Sequence, residues 1–136
     1  MNSGRLNVVL GAAGLVLAGF GGFALGMTID PFFEKGFAAY PLTRFLLRSA
    51  HAHGMLVSLL NLVVGVLLSR LAMSDKAKKI CSAFAAGAFL LPIALLLRGL
   101  TGGGMTFAPF GVLGGLCLVT AAAVLAVGAL KPASAQ

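Results

Sequence analysis

The chain has 136 residues, of which 60% are hydrophobic and 10% charged, and its mean hydropathy is +1.06. Soluble domains carry about a quarter charged residues, so this composition excludes an ordinary soluble domain and indicates a membrane protein. The net charge is +7, but the basic residues lie singly or in short groups between apolar runs. Without a basic stripe we expect no nucleic-acid partner and expect membrane lipids instead.

Four apolar runs predict four transmembrane helices in a single membrane domain, residues 1–136. The runs that end at Asp30, Arg70 and Arg98 contain 24, 21 and 18 consecutive uncharged residues. The last run is longer and begins with a glycine-rich loop. Because a bilayer requires about 20 apolar residues per helix, the sequence predicts an all-α, four-transmembrane-helix bundle. The predicted spans are 6–29, 43–71, 80–100 and 109–130.

A short interfacial helix is predicted between helices 1 and 2. Asp30 and Pro31 form an N-cap and first-position pair, and Glu34 falls in the first turn. Pro41 would end this helix. Aromatic side chains prefer the membrane interface, and this segment contains Phe32, Phe33, Phe37 and Tyr40.

The distribution of basic residues predicts that the N- and C-termini are cytoplasmic, and we expect the membrane to be the bacterial inner membrane. Loops with more Lys and Arg stay in the cytoplasm. The side that contains both termini carries six basic residues, namely Arg5, Arg70, Lys76, Lys78, Lys79 and Lys131. The opposite side carries four, namely Lys35, Arg44, Arg48 and Arg98.

Small residues at helical spacing predict where the helices pack, because close backbone approach supplies much of the attraction between helices in lipid. The predicted packing residues are Gly14, Ala18, Gly22 and Gly26 in the first helix, Gly54, Ser58 and Asn61 in the second, and Gly111 and Gly115 in the fourth. Gly11 lies about 60° from Gly14 on a helical wheel, and Gly19 about 140°. These two glycines indicate a second packing face, directed at a helix outside this chain.

The third span contains a proline and one of two cysteines. Pro92 has no amide to bond the carbonyl of Ala88, so a kink is expected there. Cys81 and Cys117 begin different helices on opposite sides of the bilayer. We therefore expect them to lie far apart, as buried structural thiols and not as a disulfide.

The second helix carries the residues with the most chemical potential, including the two histidines of the chain. His51 and His53 lie about 160° apart on a helical wheel, so they cannot share a metal from a regular helix. His51 instead lies on one ridge with Arg44, Arg48 and Met55. We select these four as candidate cofactor-binding residues.

Several ligands fit this ridge, and a structural interpretation competes with them. His51 and Met55, with Met27 and Met105, have the imidazole and thioether groups that suit Cu(I). Haem would use a histidine as axial ligand. A quinone or an anionic lipid headgroup would use His51 with the two arginines. In the structural interpretation the arginines reach the surface and pair with Asp30 or Glu34, while the histidines form hydrogen bonds.

The sequence contains no catalytic set, so we expect a protein that is not an enzyme. Its carboxylates are Asp30, Glu34 and Asp75, and none lies inside a span, as a proton relay would require. It has no CxxC pair, phosphate-binding loop or zinc spacing, so neither a metal site nor a bound cofactor is expected.

The layout resembles the small four-helix membrane proteins of domain-of-unknown-function family 423, the group that includes transmembrane protein 256. The resemblance is carried by the Gly/Ala-rich stretch 11–26, by His51-Ala52-His53 at the start of the second helix, and by the residues 108–111 that open the fourth. Members carry a histidine in a Gly-Ala-His-Gly-like turn near the end of the first helix, whereas residues 22–26 of this chain have none. The resemblance implies a four-helix bundle and no established biochemical activity.

The expected function is that of a non-catalytic accessory subunit. The chain is short, and its helices carry more Gly- and Ala-rich packing faces than contacts within one bundle require. It would pack against other integral membrane subunits of a larger complex, respiratory or photosynthetic in kind. The alternative is a cofactor-binding membrane protein that uses the His51 ridge.

Overall fold

The computed structural model describes residues 3–32 and 41–130 and contains four helical segments long and apolar enough to cross a membrane. This is the profile of an integral membrane protein, and the predicted all-α four-helix bundle is confirmed. In lipid, every backbone amide and carbonyl must find a partner within the protein, which favours unbroken helices through each apolar run. The spans are Gly4–Met27, Leu42–Arg70, Asp75–Leu100 and Ala108–Ala129.

Five helices build these spans, because the third span is divided in two. They are α1 (Ser3–Phe32), α2 (Pro41–Arg70), α3 (Asp75–Gly87), α4 (Leu90–Leu100) and α5 (Ala108–Ala129). α1 packs on α2, α2 packs on α3 and α4, and both of these pack on α5. Within the described residues, α1 and α5 have no substantial contact. The bundle is therefore open, with α1 and α5 at its two ends.

The connection between the first two spans differs from the prediction. Asp30 does not start a new helix, since α1 continues to Phe32. Pro31 is therefore part of the last turn of α1. Pro41 is the first residue of α2, a position where the missing amide of proline has no helical partner to lose. The rest of the predicted interfacial helix, residues 33–40, lies outside the described residues.

The third span begins earlier than predicted, at Asp75 and not near residue 80. The side chain of Ser74 accepts a hydrogen bond from the amide of Ala77 at 3.3 Å, and Asp75 stands in the first turn. An N-cap serine and an early acidic residue both stabilise a helix start. Lys76, Lys78 and Lys79 consequently lie on α3 and not in a loop.

Near Pro92, where a kink is expected, the helix is interrupted at Ala88 and Phe89 between α3 and α4. Since Pro92 has no amide, the carbonyl of Ala88 accepts from the amide of Leu91 at 3.1 Å. The amide of Phe89 bonds the carbonyl of Ala86 at 3.2 Å. These bonds span three residues instead of four, and such tighter turns redirect the helix axis.

Candidate functional site

The α1–α2 interface is built from glycines that allow near contact between the two backbones. A Cβ added at Gly11 would lie 2.7 Å from both the carbonyl oxygen of Ser58 and the amide nitrogen of Leu62. A Cβ added at Gly14 would overlap the Ser58 hydroxyl. Gly11 therefore belongs to the interface within this chain, and its assignment to a second packing face is wrong.

The other predicted packing residues divide into those that meet a helix and those that do not. Gly22 lies against the imidazole of His51, and a Cβ added at Gly54 would lie 3.3 Å from the Cβ atom of Ala18. Ser58 and Asn61 are fully buried, and a Cβ added at Gly111 would lie 3.6 Å from the Cβ atom of Ala94. Among the described residues, a Cβ added at Gly26 or Gly115 would meet nothing within 4 Å. The prediction that these two glycines pack within the bundle is wrong.

The α3–α5 interface contains both cysteines, which are buried and free. The thiol of Cys81 donates to the carbonyl of Ala121 at 3.5 Å. Gly87 faces Cys117, whose sulfur would lie 3.0 Å from an added Cβ. The prediction of two buried thiols without a disulfide is confirmed. The sequence placed the two cysteines on opposite sides of the bilayer, whereas the structure shows that both thiols lie in the α3–α5 interface.

A fully buried polar cluster joins three helices near the end of the bundle where the chain begins. It consists of Asn7 on α1, Asn61 on α2 and Ser82 on α3. The amide nitrogen of Asn7 donates to Oδ1 of Asn61 at 2.7 Å and to the carbonyl of Ser82 at 3.2 Å. The Ser82 hydroxyl donates to Oδ1 of Asn7 at 2.5 Å. The amide nitrogen of Asn61 donates to the carbonyls of Val57 at 3.0 Å and Ala85 at 2.8 Å.

Every side-chain donor and acceptor of Asn7 and Asn61 is used in this cluster, so burial leaves neither amide without a partner. A buried polar group costs free energy unless it is hydrogen-bonded, and in a bilayer water cannot supply the missing bond. A satisfied network of this kind fixes the rotation and depth of three helices relative to one another. The cluster contains no nucleophile or carboxylate, and it is a structural element.

His51 turns towards a neighbouring helix, as expected for a residue that bridges helices. Its Nδ1 atom lies 2.9 Å from the carbonyl oxygen of Ala18 on α1. Nδ1 of His53 lies 2.8 Å from the carbonyl of Ser49, one turn earlier on its own helix. The two imidazoles therefore have different partners, and neither arrangement brings the rings together.

The other residues of the predicted ridge differ from one another in burial. Arg48 and Met55 are exposed, and Arg44 is half-buried about two turns before His51, near the start of α2. Two of the predicted copper ligands, Met27 and Met105, also lie in other surroundings. Met27 is exposed, and the sulfur of Met105 accepts a hydrogen bond from the Arg98 guanidinium at 3.3 Å. Within the described residues, no three His, Cys, Asp or Glu side chains form a group that could hold a metal ion.

His51 also lines an apolar groove of about 450 Å³ between α1, α2 and α4. Its walls combine small residues with larger apolar ones, among them Ala18, Gly21, Ala50, Phe89, Pro92 and Ile93. Ligand sites typically enclose about 300 to 1,000 Å³ and combine apolar walls with few polar groups. This groove is the candidate site that the geometry supports.

The sequence reasoning singled out His51 but missed the groove and the polar cluster. Asn7 and Ser82 were not selected, although uncharged polar residues inside apolar runs were a usable signal for contacts between helices. The groove gave no such signal, because it depends on the separation of α1 from α4. The distance between two helices cannot be predicted from the periodicity of either one.

The fold defines a polytopic helical-bundle membrane protein, held by glycine contacts and a buried polar cluster. No protein-family model, curated protein or solved structure matches the chain. The resemblance to domain-of-unknown-function family 423 stays a prediction from the residues that carry it.

Proposed function

We propose that this chain is a non-catalytic accessory subunit that packs through α1 against another integral membrane protein, within a larger complex of the respiratory or photosynthetic kind. The observation that carries the proposal is the position of α1. Only 6% of the residues in its most apolar stretch are buried, against 39% for α2. A terminal helix that packs mainly on α2, with a smaller contact to α3, has most of its surface available for another protein.

The exposed surface of α1 includes positions suited to close helix contact. An added Cβ at Gly19 would meet nothing within 4 Å. Phe20 and Phe23 beside it are 71% and 68% exposed. A glycine in a helix costs about 1 kcal/mol relative to alanine, and close contact with another helix offsets that cost. Gly19 makes no such contact with the residues that the structure describes, which supports a partner helix on this side of α1.

The Gly19 contact is tested with a Gly19→Leu variant purified in mild detergent from its native membrane. We expect the wild-type chain to be recovered with a partner in fixed ratio, and Gly19→Leu to lower that recovery about tenfold, since an isobutyl group would separate the two backbones. Gly115→Leu on α5 is the matched control, because its added Cβ also meets open space. Helix content of both variants should equal that of the wild type.

Two outcomes would contradict the accessory-subunit proposal. One is a stable wild-type monomer from native membranes with no co-purifying protein. The other is equal loss of partner from Gly115→Leu and Gly19→Leu, which would show a general effect of leucine and not a specific contact on α1.

We also propose that both termini lie in the cytoplasm, with the bacterial inner membrane as the location. The support is the excess of Lys and Arg on the side of the termini, to which Lys76 and Lys79 at the exposed start of α3 contribute.

This orientation predicts the labelling of two single-cysteine variants in intact cells. Thr106→Cys, in the exposed connection between α4 and α5, should react with a membrane-impermeant maleimide added outside. Lys76→Cys should react only after the membrane is permeabilised. The native cysteines are buried, so the unmodified chain gives the background. The reverse pattern of labelling would invert the topology.

A further inference from the structure

The groove beside His51 lies deep in the membrane, which restricts what can occupy it. His51 is nine residues after Leu42, where the second span begins at the start of α2. At about 1.5 Å per residue this places the imidazole roughly 13 Å from that end. The centre of a bilayer's hydrocarbon core lies about 15 Å from either surface. A phospholipid headgroup does not reach this depth, so the occupant must be soluble in hydrocarbon.

The hydrogen bond of His51 defines the polar group that the occupant needs. The carbonyl of Ala18 can only accept, so Nδ1 carries a proton and donates to it. In the neutral ring Nε2 is then an acceptor. Within the described part of the chain Nε2 has no hydrogen-bond partner. The complementary ligand therefore carries a hydroxyl or another donor group.

The walls of the groove combine small, aliphatic and aromatic residues. The small residues include Gly21, Ala50 and Gly54, and the aliphatic ones include Leu17 and Leu96. The ring of Phe89 lines the groove from the α3–α4 break. Aromatic rings pair with one another beyond the simple effect of area burial.

We propose that the groove between α1, α2 and α4 binds a quinol, a lipid-soluble aromatic ring whose hydroxyl donates to Nε2 of His51. The ring lies against Phe89 and the small residues, and the isoprenoid tail leaves the groove towards the lipid. The oxidised quinone has carbonyls where the quinol has hydroxyls. It cannot donate to Nε2, and so it binds more weakly than the quinol.

The test uses the full chain in nanodiscs of phosphatidylcholine with ¹⁵N-labelled histidine. The two histidines give separate ring resonances, so His53 is an internal control for His51. Addition of decyl-benzoquinol should shift the Nε2 resonance of His51 and leave His53 unchanged. Decyl-benzoquinone should bind about tenfold more weakly, the scale of one lost hydrogen bond.

Two leucine variants separate a filled groove from a general effect on the helix. Gly21 lines the groove, and an added Cβ there meets nothing within 4 Å. Gly21→Leu should occupy part of the groove and weaken quinol binding at least tenfold. Gly26→Leu, whose added Cβ also meets nothing and which does not line the groove, should bind as the wild type does.

Any of three results would overturn the assignment of a quinol to the groove. The first is an unchanged His51 resonance at saturating quinol. The second is unimpaired quinol binding in Gly21→Leu. The third is a haem absorption band in protein from native membranes that disappears in Gly21→Leu, which would assign the groove to haem. The accessory-subunit proposal is tested separately, by recovery of a partner protein, and stands or fails independently of these results.

Discussion

Gly114→Leu should destabilise the bundle by about 3 kcal/mol or more, the largest effect that we expect from a single substitution. A Cβ at Gly114 would overlap the amide nitrogen of Leu91 and lie 2.9 Å from the carbonyl carbon of Leu90. Both contacts are with backbone just after the α3–α4 break, so no side-chain rotation can relieve them. Overpacking usually costs about 1 to 3 kcal/mol of stability. A clash with backbone should cost at least the upper value of that range, because backbone atoms cannot move aside as a side chain can.

The neighbouring glycine provides the matched control for this substitution. Gly115→Leu introduces the same side chain on the same helix, but its added Cβ would meet nothing within 4 Å. Leucine is the better helix former, so this variant should be as stable as the wild type or slightly more stable. The measurement is the free energy of unfolding in micelles, followed by circular dichroism during titration with SDS. Equal destabilisation by both variants would refute the close approach of α5 to α4 at Gly114.

Asn61→Leu should destabilise the protein by about 2 to 3 kcal/mol, although leucine is the more apolar residue. The substitution leaves an amide hydrogen of Asn7 and the carbonyl of Ala85 without their side-chain partner. A hydrogen bond between membrane helices contributes about 0.6 to 2 kcal/mol, and Asn61 loses two such bonds together. Thr120→Val is the control, because the Thr120 hydroxyl bonds only the carbonyl of Leu116 on its own helix. It should change stability by less than about 0.5 kcal/mol.

A double-mutant cycle separates the bond between the two asparagines from the other effects of each change. The unfolding free energies of Asn7→Leu, Asn61→Leu and the double variant are compared with that of the wild type. Because the side chains lie in direct contact at 2.7 Å, the double variant should lose less than the sum of the single losses, by about 1 kcal/mol. Strict additivity would show that the two amides do not interact in the membrane.

The parts of the fold that the sequence predicts well are those set within a single helix. Length and hydropathy give the four spans, and the absent amide of Pro92 gives the position of the break. The face of α2 that contains Gly54, Ser58 and Asn61 also follows from periodicity, because residues three or four apart share one side of a helix.

The errors concern relations between helices, which no single-helix pattern contains. On α1 the sequence selected Gly14 to Gly26, whereas the observed contact with α2 begins at Gly4 and ends near Gly22. On α5 it selected Gly115, and the close contact is made by Gly114. Adjacent residues differ by about 100° on a helix, so the choice between them depends on rotation against the partner helix. The groove and the pairing of Asn7 with Asn61 depend on the same rotation.

The open order of the helices has a consequence for how the chain is made. Each span packs on the one synthesised just before it, and within the described residues the first and last helices need not meet. Such a topology has mostly local contacts, which close quickly and require no rearrangement of earlier segments. Asn7 and Asn61 can already pair when only two spans have entered the bilayer, and Ser82 completes the cluster when the third arrives. During biosynthesis the side chain of Asn7 on α1 therefore gains its first hydrogen-bond partner when α2 inserts, before the rest of the bundle is present.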